Sequence, residues 1–558
     1  MANPPTPRPV KSHEQPPMAR VPSTTKRPSM LVAGLKNPRP GPAPNAFRQG
    51  GLVASASCSV VVALQNSVMT GVASILGSHP YVAAMTSLET IRAADASVPA
   101  ERDLWRAELG QTVRLAVPMA LTQVGQVVMM TVDLVLIGRL GDAALAAAAL
   151  AHTVLFAAFT VGMGLVSAVA PLASQAYGAR QPRMVRRALR VGLWAAVILG
   201  VPMTLVQFWG EDILLALGQQ PQSAALAGRY LAGMAWAIIP AWVFIALRNF
   251  MSSVNRPQPA LWITLAAIPA NAVLAYALIY GALGLPALDL LGAGLATALV
   301  DVGMCVAAIV IAYTRRPFRK YRVLGRFWRA DWSLLGKLVV VGLPISGALL
   351  LEYGLFAAAA LLMGRISTSA VAAHQIALQV AALLYMVPFG IALAGTVRVG
   401  QAAGRRDPSA TRRAGFVAIG LAAVFMALMV IVVGLARNTI PLIFVGSDAP
   451  QSADTIALAA TLLVLGASFF ISDGMQAAAG GVLRGLNDTR VPLIFAAASF
   501  WLVGFVAAYA LAFPLGVGAP GVWAGLSIGL AVYATLLVWR FLALMRRGYL
   551  PDAPGSTA

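Results

Sequence analysis

Residues 342–379 read GLPISGALLLEYGLFAAAALLMGRISTSAVAAHQIALQ, an apolar stretch interrupted near its middle by one carboxylate, Glu352. The stretch repeats an earlier pattern, because Pro344 follows Pro118 by 226 positions and Gly364 follows Gly138 by the same offset. Further downstream the offset aligns Gly164, Gln175, Gly178, Arg180, Pro182, Arg186 and Arg187 with Gly390, Gln401, Gly404, Arg406, Pro408, Arg412 and Arg413. We therefore predict a duplicated unit of roughly 220 residues.

The composition is that of a membrane protein. Hydrophobic residues make up 59% of the 558 residues and charged residues 11%, with a mean hydropathy of +0.77, whereas soluble domains are about 25% charged. Each span needs about 20 mostly apolar residues, and it must be helical because lipid cannot satisfy backbone hydrogen bonds. The net charge of +21 lies largely in short loops between apolar runs, so we expect contact with membrane lipids and none with nucleic acid.

The apolar periodicity predicts an all-α integral membrane protein with 12 transmembrane helices. The predicted spans are approximately 113–138, 143–172, 188–209, 227–254, 258–281, 291–313, 335–363, 369–397, 412–436, 454–482, 491–515 and 520–545. Six spans per copy give both copies the same orientation, so two homologous six-helix lobes should be related by a pseudo-twofold axis along the membrane normal.

The domain organisation follows from this duplication. The N-lobe is expected at 105–314 and the C-lobe at 335–547, joined by a linker at 315–334 that carries an amphipathic surface helix with Phe327, Trp328 and Trp332 at the interface. Residues 1–104 form a Pro- and Arg-rich tail that we expect to be disordered, and 548–558 form a short C-terminal tail. Met85 is an alternative start of translation.

Lys and Arg concentrate in the even-numbered loops, counted as the connections after spans 2, 4, 6, 8 and 10. The connection between spans 2 and 3 carries five arginines, and the linker carries a larger basic cluster, whereas the odd-numbered loops hold few basic residues. Since positive charge is retained on the cytoplasmic side, we predict that the even loops and both termini are cytoplasmic.

Four acidic residues lie well inside predicted spans: Asp133, Asp301, Glu352 and Asp473. A bare charge at the bilayer centre costs about 3 kcal/mol on insertion scales, so each should face the bundle interior or water. A carboxyl group that exchanges between charged and neutral forms is what ion coupling requires. The alternative is a carboxyl group that is hydrogen-bonded to Ser or Gln and only fixes packing.

Polar and aromatic side chains accompany these acids at helical spacing. Thr122, Gln126, Met129 and Asp133 share one face of span 1, and Gln126 is the repeat partner of Glu352. Other candidate cavity residues are Thr297 beside Asp301, Gln375 and Gln379 in span 8, Gln476 and Phe469 beside Asp473, and Tyr353 beside Glu352. The glutamines have the alternative role of hydrogen bonds between helices, and the aromatic residues that of packing.

The sequence contains no pattern typical of an enzyme. It has no phosphate-binding Gly-rich loop with a Lys, no Cys or His ligand spacing, and no nucleophile paired with a base outside the spans. His152 and His374 lie near span ends, where a helix-packing hydrogen bond is expected. Cys58 and Cys305 are far apart in different environments, so no disulfide or metal cluster is predicted. We therefore expect no enzymatic activity, no cofactor and no resident metal.

From about Leu104 to Arg547 the chain resembles the multidrug and toxic compound extrusion (MATE) family, in particular its bacterial NorM-type branch. The resemblance rests in the first half on MMTVDLVLIGRLG (129–141), PLASQAYGAR (171–180), ALRNFMSSVNRPQPALW (246–262) and PANAVLAYALIYG (269–281). In the second half it rests on LLLEYGLFAAAALLMG (349–364), AAHQIAL (372–378), VRVGQAAGRRD (397–407) and SDGMQAAAGGVLRGLNDTRVP (472–492).

The resemblance implies a V-shaped pair of six-helix lobes in the bacterial inner membrane. Such a protein is a monomer that alternates between inward and outward openings and exports cationic or amphipathic drugs against an inward flow of H⁺ or Na⁺. By this resemblance, Glu352 and Asp473 match the second-lobe carboxylates that bind the coupling cation, which includes transient Na⁺, and Asp133 matches the first-lobe carboxylate.

The same resemblance assigns Asn271 and Thr297 as polar partners of Asp133. The family's second Asn, one turn after the first, is Ala275 here, and this departure makes the second lobe the better candidate for the coupling site. We hypothesise that drug and coupling cation compete for Glu352 and Asp473. The sequence does not distinguish H⁺ from Na⁺.

Two rival functions remain at the level of sequence. A lipid-linked oligosaccharide flippase of the same superfamily would hold a pyrophosphate with cationic side chains in its cavity, but Arg and Lys are scarce within the spans. An intramembrane transferase would need clustered Asp, or His with Asp, at the membrane face, and the sequence shows neither.

Overall fold

The computed structural model describes residues 101–551 except 324, 326–327, 329–330 and 446–452. The expectations for the tail before residue 101, including Met85 and Cys58, lie outside the described residues, as do Phe327 and the chain end from residue 552. The described part contains no strand and twelve helices that are long and apolar enough to cross a membrane. The helices are α1 (Glu101–Gly138), α2 (Asp142–Gly178), α3 (Pro182–Phe208), α4 (Pro221–Ser253), α5 (Gln258–Tyr280), α6 (Asp289–Thr314), α7 (Trp332–Gly364), α8 (Thr368–Gly404), α9 (Pro408–Ala436), α10 (Ala453–Gly485), α11 (Arg490–Ala512) and α12 (Ala519–Arg546). The all-α prediction with twelve spans is confirmed.

Several helices extend past the apolar stretch that identified them. Helix α1 begins at Glu101 and not near residue 113, and α8 continues to Gly404 and not to residue 397. Outside the hydrocarbon layer a helix needs no apolar composition, so hydrophobicity marks only the membrane-buried part of each element. The expected tail boundary near residue 104 accordingly falls inside α1.

Three helices are locally irregular. Helix α2 is interrupted at Ala168, between its segments Asp142–Ser167 and Val169–Gly178. Helix α4 contains one 3₁₀ turn at Ala235–Ala237, and α11 contains a π-helical segment at Ala498–Phe505. Periodicity does not reveal such local changes in hydrogen-bond register, which in other proteins often occur at functional sites.

The buried apolar side chains form two clusters that correspond to two lobes. The first is built mainly on α2 to α6 and the second on α8 to α12. Helices α1 and α7 contribute to both, because Leu115 of α1 belongs to the second cluster while Leu338 of α7 belongs to the first. The first halves of these two helices therefore pack in the core of the opposite lobe. The repeat partners Pro118 and Pro344 lie inside α1 and α7, within these first halves.

Local geometry repeats between the lobes as well. Arg180 and Arg406 adopt left-handed backbone conformations, with φ of 57° and 60°, after α2 and α8 respectively. Asn255 and Asn487 do the same, with φ of 61° and 59°, after α4 and α10. Short helices at Gly210–Ala216 and Thr439–Val445 follow α3 and α9. The sequence duplication is thus a structural duplication, as predicted.

The first part of the linker packs on the first lobe. Its described residues form one 3₁₀ turn at Phe318–Tyr321, and both aromatic side chains are buried. They pack on Phe250 of α4 at ring-centroid distances of 5.9 and 5.5 Å. Trp332 is the first residue of α7, and the described residues between α6 and α7 include no amphipathic α-helix. Phe327 lies outside the described residues, and Trp328 and Trp332 are 77% and 67% exposed, so the surface helix around them stays a prediction.

Asp331 connects the linker to α3. Its carboxylate accepts a hydrogen bond from the backbone N–H of Leu334, which caps α7, and another from Arg187 Nε at 2.6 Å. The hydrogen bond from Arg187 lowers the pKa of the Asp331 carboxyl below its ordinary value. The capping carboxylate is therefore ionised at neutral pH, and its contribution to stability is lost only in acid below the pKa of an unfolded aspartate, about 3.9.

Candidate functional site

The second lobe brings two of the predicted carboxylates to one glutamine. Gln476 of α10 donates from Nε2 to Glu352 Oε1 of α7 at 2.8 Å and to Asp473 Oδ1, one turn away on α10, at 3.2 Å. Asp473 and Gln476 are each only 5% exposed, while Glu352 is half-buried. Two acids joined by a single amide form an oxygen-rich site that can hold a proton or a small cation.

Side chains from three helices surround this pair. Tyr385 of α8 lies close enough to interact electrostatically with both carboxylates, and Tyr533 of α12 with Glu352. Arg484, two turns after Gln476 on α10, also interacts with Glu352. These three residues were not identified from the sequence. The acids stand out as charges in apolar helices, whereas a tyrosine in such a helix is indistinguishable from a packing residue.

The aromatic residues predicted near the second-lobe acids are present but serve packing. Phe469 is 1% exposed, and its ring centroid lies 5.2 Å from that of Trp523 and 6.0 Å from that of Phe356. Tyr353, one residue after Glu352, packs on Phe156 of α2 at a centroid distance of 4.5 Å. Tyr353 therefore contributes to a contact between the lobes, while Phe469 belongs to an aromatic cluster one turn before Asp473 on α10.

In the first lobe Asp133 is bound by the two residues that the resemblance assigned to it. Asn271 of α5 donates to Asp133 Oδ1, and Thr297 of α6 donates to Oδ2 at 3.1 Å. All three side chains are buried. Asp301, one turn after Thr297, interacts electrostatically with Asp133. The sequence thus identified the members of this cluster, although the contacts cross three helices.

A cavity of about 320 Å³ adjoins Asp133. Its lining includes Gln126 and Asp301, together with apolar side chains such as Met129.

His152 also lines this cavity, and its Nε2 lies 3.4 Å from the Tyr230 hydroxyl. The hydrogen bond between α2 and α4 confirms the packing role expected of His152. His374 likewise accepts from Trp523 Nε1 at 3.1 Å.

A buried arginine lies next to this cavity. Arg248 of α4 is 8% exposed, and its Nη1 donates to Gln123 Oε1 at 2.6 Å and to Gln126 Oε1 at 3.0 Å. Sequence reasoning missed this contact, because Arg248 lies near the end of span 4 and its partners are on span 1. The Gln126 side chain therefore accepts a hydrogen bond from the Arg248 guanidinium. Its repeat partner Glu352 instead accepts one from the Gln476 amide.

Gln375 and Gln379 are separate from both acidic clusters. They are exposed, one turn apart on α8. Within the described chain, neither is hydrogen-bonded to Glu352 or Asp473, since the helix turns both side chains outward while His374 and Ala377 face the core. Their role as cavity residues stays a prediction.

The two lobes are joined at the even-loop side by symmetry-related glutamines. Gln175 of α2 donates to the Gly485 carbonyl at 2.8 Å and accepts from Asn487 at 2.9 Å. Its repeat partner Gln401 of α8 donates to the Ser253 carbonyl and to Asn255 Oδ1, both at 2.9 Å. Each glutamine thus bonds the loop after the fourth helix of the opposite lobe.

Glycines permit this close approach. A Cβ at Gly178 would collide with the Gln401 carbonyl, and one at Gly404 with the Gln175 carbonyl. The sequence offset had already aligned Gln175 with Gln401 and Gly178 with Gly404. It could not show that Gly178 meets Gln401, and Gly404 meets Gln175, across the lobe interface.

An ion pair closes the same side. Arg398 of α8 binds Glu108 of α1 through two hydrogen bonds, Nε to Oε1 at 2.8 Å and Nη2 to Oε2 at 2.7 Å. Each side chain is 8% exposed. The repeat places Leu172 and Leu334 at the corresponding positions, so this pair has no symmetric counterpart. No sequence pattern indicated this pair, because Glu108 lies in the polar segment before span 1 and Arg398 among the basic residues after span 8.

The geometry does not resemble a resident metal centre. Among the described residues there is no group of three or more His, Cys, Asp or Glu able to hold a metal ion. The second-lobe pair provides two carboxylates and one amide, which suits transient binding of a monovalent cation or a proton better than permanent coordination.

Comparison with known proteins gives a consistent result. The family model MatE matches residues 118–277 and 344–510, which are the two repeats. The chain is 60% identical over 465 residues to a protein named "Probable multidrug resistance protein NorM" from Rhodopseudomonas palustris, covering 83% of this chain and 98% of that protein. It is 59% identical to a protein of the same name from Bradyrhizobium diazoefficiens, covering 79% and 94%.

Solved structures share the fold. The eukaryotic MATE transporter AtDTX14 superposes with a TM-score of 0.72 at 22% identity, covering 80% of this chain and 99% of that one. A multidrug resistance MATE family transporter of the MOP superfamily, in an outward-facing conformation, gives a TM-score of 0.72 at 20% identity, covering 80% and 98%. The chain belongs to the MatE family, and it is therefore a multi-pass membrane transporter and not an enzyme.

Proposed function

We propose that this chain is a secondary multidrug efflux transporter that exports cationic and amphipathic compounds in exchange for H⁺ or Na⁺. The names of its relatives support multidrug resistance as the role. The observation that carries the exchange proposal is the pair Glu352 and Asp473, joined through Gln476. No cofactor enters this mechanism.

Exchange follows if drug and coupling ion share one set of charges. A cationic drug is attracted to the second lobe while Glu352 and Asp473 carry negative charge. A proton or Na⁺ that enters from outside neutralises that charge, weakens the attraction, and favours release of the drug. The membrane potential supplies about 2.3 kcal/mol per charge per 100 mV, which corresponds to roughly fifty-fold accumulation for each ion.

Alternating access requires that the even-loop side open and close. The polar contacts of Gln175, Gln401 and Arg398 join the lobes on that side, which we assign to the cytoplasm from the distribution of basic residues. We therefore interpret the present conformation as closed toward the cytoplasm. In this arrangement both termini are cytoplasmic, and the protein is a monomer in the bacterial inner membrane, surrounded by lipid and open to small-molecule drugs.

The first lobe has a supporting role in this proposal. Asp133 is engaged by Asn271 and Thr297, and Ala275 occupies the position of a second amide in related proteins. With both Asp133 oxygens already accepting hydrogen bonds, we assign the first lobe to substrate contact and conformational coupling, together with its cavity residues Gln126 and Asp301. Exposed Gln375 and Gln379 are assigned to the face that substrates meet.

One observation favours the rival flippase function. Arg248 is a buried cation beside the first-lobe cavity, as a pyrophosphate-binding site would need. Its guanidinium is hydrogen-bonded to Gln123 and Gln126, and two aspartates line the neighbouring cavity. The acids outnumber the arginine there, so the arrangement suits a cationic substrate better than a pyrophosphate.

The test is transport by the purified protein in liposomes. A fluorescent organic cation is supplied on one side while either a Na⁺ gradient or a pH gradient of matched size is imposed. We expect the cation to move against its own gradient with one of the two ions, and that ion is the coupling ion. Absence of movement under both gradients, with the protein shown to be folded and inserted, would contradict the proposal.

A further inference from the structure

A groove of about 1040 Å³ lies between α5 and α6 of the first lobe. Apolar side chains line most of its length, and two of them, Trp262 and Leu299, are 68% and 52% exposed. It shares no lining residue with the cavity beside Asp133. The groove is therefore a separate feature, on a surface that meets lipid and not the transported drug.

One end of this groove is strongly basic. Arg256, between α4 and α5, lines it together with Arg315 and Arg316, which follow α6. All three are exposed, and no Asp or Glu is among the described residues that line the groove. The four ion pairs of the described chain involve other arginines. Three guanidinium groups thus lie at one end of the groove, and none of the described groove residues is a carboxylate that would neutralise them.

The groove is open because small residues line part of its walls. Ala266 and Ala270 of α5 and Gly303 of α6 contribute to the lining. A Cβ added at Gly303 would meet no atom within 4 Å, so the space beside it is free. This glycine offers a means of filling the groove without disturbing the packing between helices.

The second lobe repeats only part of this charge. Asn255 and Asn487 are structurally equivalent, so Arg256 corresponds to Asp488. Asp488 accepts a hydrogen bond from Arg540 of α12 at 2.7 Å. Close by, Phe495 of α11 packs on Trp539 of α12 at a centroid distance of 6.4 Å. Arg546 ends α12 and Arg547 follows it, as Arg315 and Arg316 follow α6. The second lobe therefore repeats two of the three arginines, whereas a carboxylate paired with Arg540 takes the place of Arg256.

We propose that the α5–α6 groove binds an anionic phospholipid from the leaflet on the even-loop side. The phosphodiester contacts Arg256, Arg315 and Arg316, and an acyl chain lies along the apolar walls past Trp262. Basic pockets between transmembrane helices on the cytoplasmic side are suited to anionic headgroups. A cationic drug does not fit the basic end, which separates this site from the transport pathway.

Lipid binding to the purified full-length protein in detergent tests the proposal. The probe is a phosphatidylglycerol with a fluorescent acyl chain, followed by anisotropy, with unlabelled phosphatidylglycerol or phosphatidylcholine as competitor. We expect competition by phosphatidylglycerol and at least tenfold weaker competition by phosphatidylcholine. Neutralising Arg256, Arg315 and Arg316 together to Gln should weaken binding by ~100-fold, since each basic residue near an anionic headgroup contributes about fivefold.

A second set of variants separates the groove from general basicity. Arg319, Lys320 and Arg322 lie in the same connection, are exposed, and do not line the groove. Changing these three to Gln removes the same charge and should alter probe binding less than threefold. Gly303→Phe, which fills the groove and keeps every arginine, should reduce probe binding at least tenfold.

The proposal is overturned if both triple variants lose binding equally, if Gly303→Phe binds the probe as well as the wild type does, or if phosphatidylcholine competes as well as phosphatidylglycerol. Thermal unfolding in lipid-free detergent checks that each variant is folded. Because none of these measurements involves transport, their outcome is independent of the proposed drug exchange.

Discussion

Glu352→Gln and Asp473→Asn are each expected to abolish ion-driven export while the protein still folds and inserts. Each change keeps the size of the side chain and removes the charge that drug and ion share. Without that charge the coupling ion no longer binds at this site, so its gradient cannot drive export. Accumulation of the organic cation, roughly fifty-fold per ion at 100 mV, should fall to about onefold. Efflux of a fluorescent organic cation from cells that lack other exporters measures this directly.

A matched control lies on the same helix. Asp454 is an exposed aspartate in the first turn of α10, and Asp454→Asn makes the same chemical change away from the site, so its export should remain within twofold of wild type. If Glu352→Gln and Asp473→Asn both exported normally at matched expression, the second-lobe acids would be structural. Asp133 of the first lobe would then be the next candidate for the coupling site.

Arg398→Met is expected to open the even-loop side of the transporter. Glu108 would remain in the lobe interface without its partner, and breaking a buried ion pair from one side costs about 3–5 kcal/mol. A change of that size shifts a two-state equilibrium by ~100-fold or more. Replacing both residues, as Glu108→Leu with Arg398→Met, removes the uncompensated charge and should restore most of the closed population.

Spin labels at residues 183 and 409 can report this opening. Arg183 and Ser409 are exposed repeat partners at the starts of α3 and α9, one in each lobe, and the native cysteines are replaced by serine in all variants. Pulsed dipolar spectroscopy should show a longer and broader distance distribution for Arg398→Met, and a return toward the wild-type distribution in the double variant. An unchanged distribution in Arg398→Met would show that the ion pair does not hold the lobes together.

The duplication and the acidic clusters could be predicted from the sequence for physical reasons. A charge inside a 20-residue apolar helix is costly, so Glu352, Asp473 and Asp133 are conspicuous without any structure. A constant offset between repeats predicts a pseudo-twofold arrangement. The same offset shows from the sequence alone that Gln175 and Gln401 are equivalent positions.

The contacts across helices could not be predicted in the same way. Periodicity specifies which face of a helix is apolar, but not which neighbour that face meets. The contact between Arg248 and Gln126 therefore could not be predicted from the sequence, and the same holds for the contact between Glu108 and Arg398. Tyr385 lies within electrostatic range of both second-lobe acids, although its sequence context is that of a packing residue.

Competition between drug and ion at Glu352 and Asp473 can be measured by equilibrium binding. Binding of a fluorescent organic cation to the purified protein is titrated with Na⁺ at fixed pH, and with pH at fixed Na⁺. We expect the coupling ion to displace the organic cation competitively in the wild type. In Glu352→Gln, any remaining binding of the organic cation should no longer respond to that ion. Drug binding that ignores both ions in the wild type, or responds to them equally in Glu352→Gln, would contradict the proposed competition.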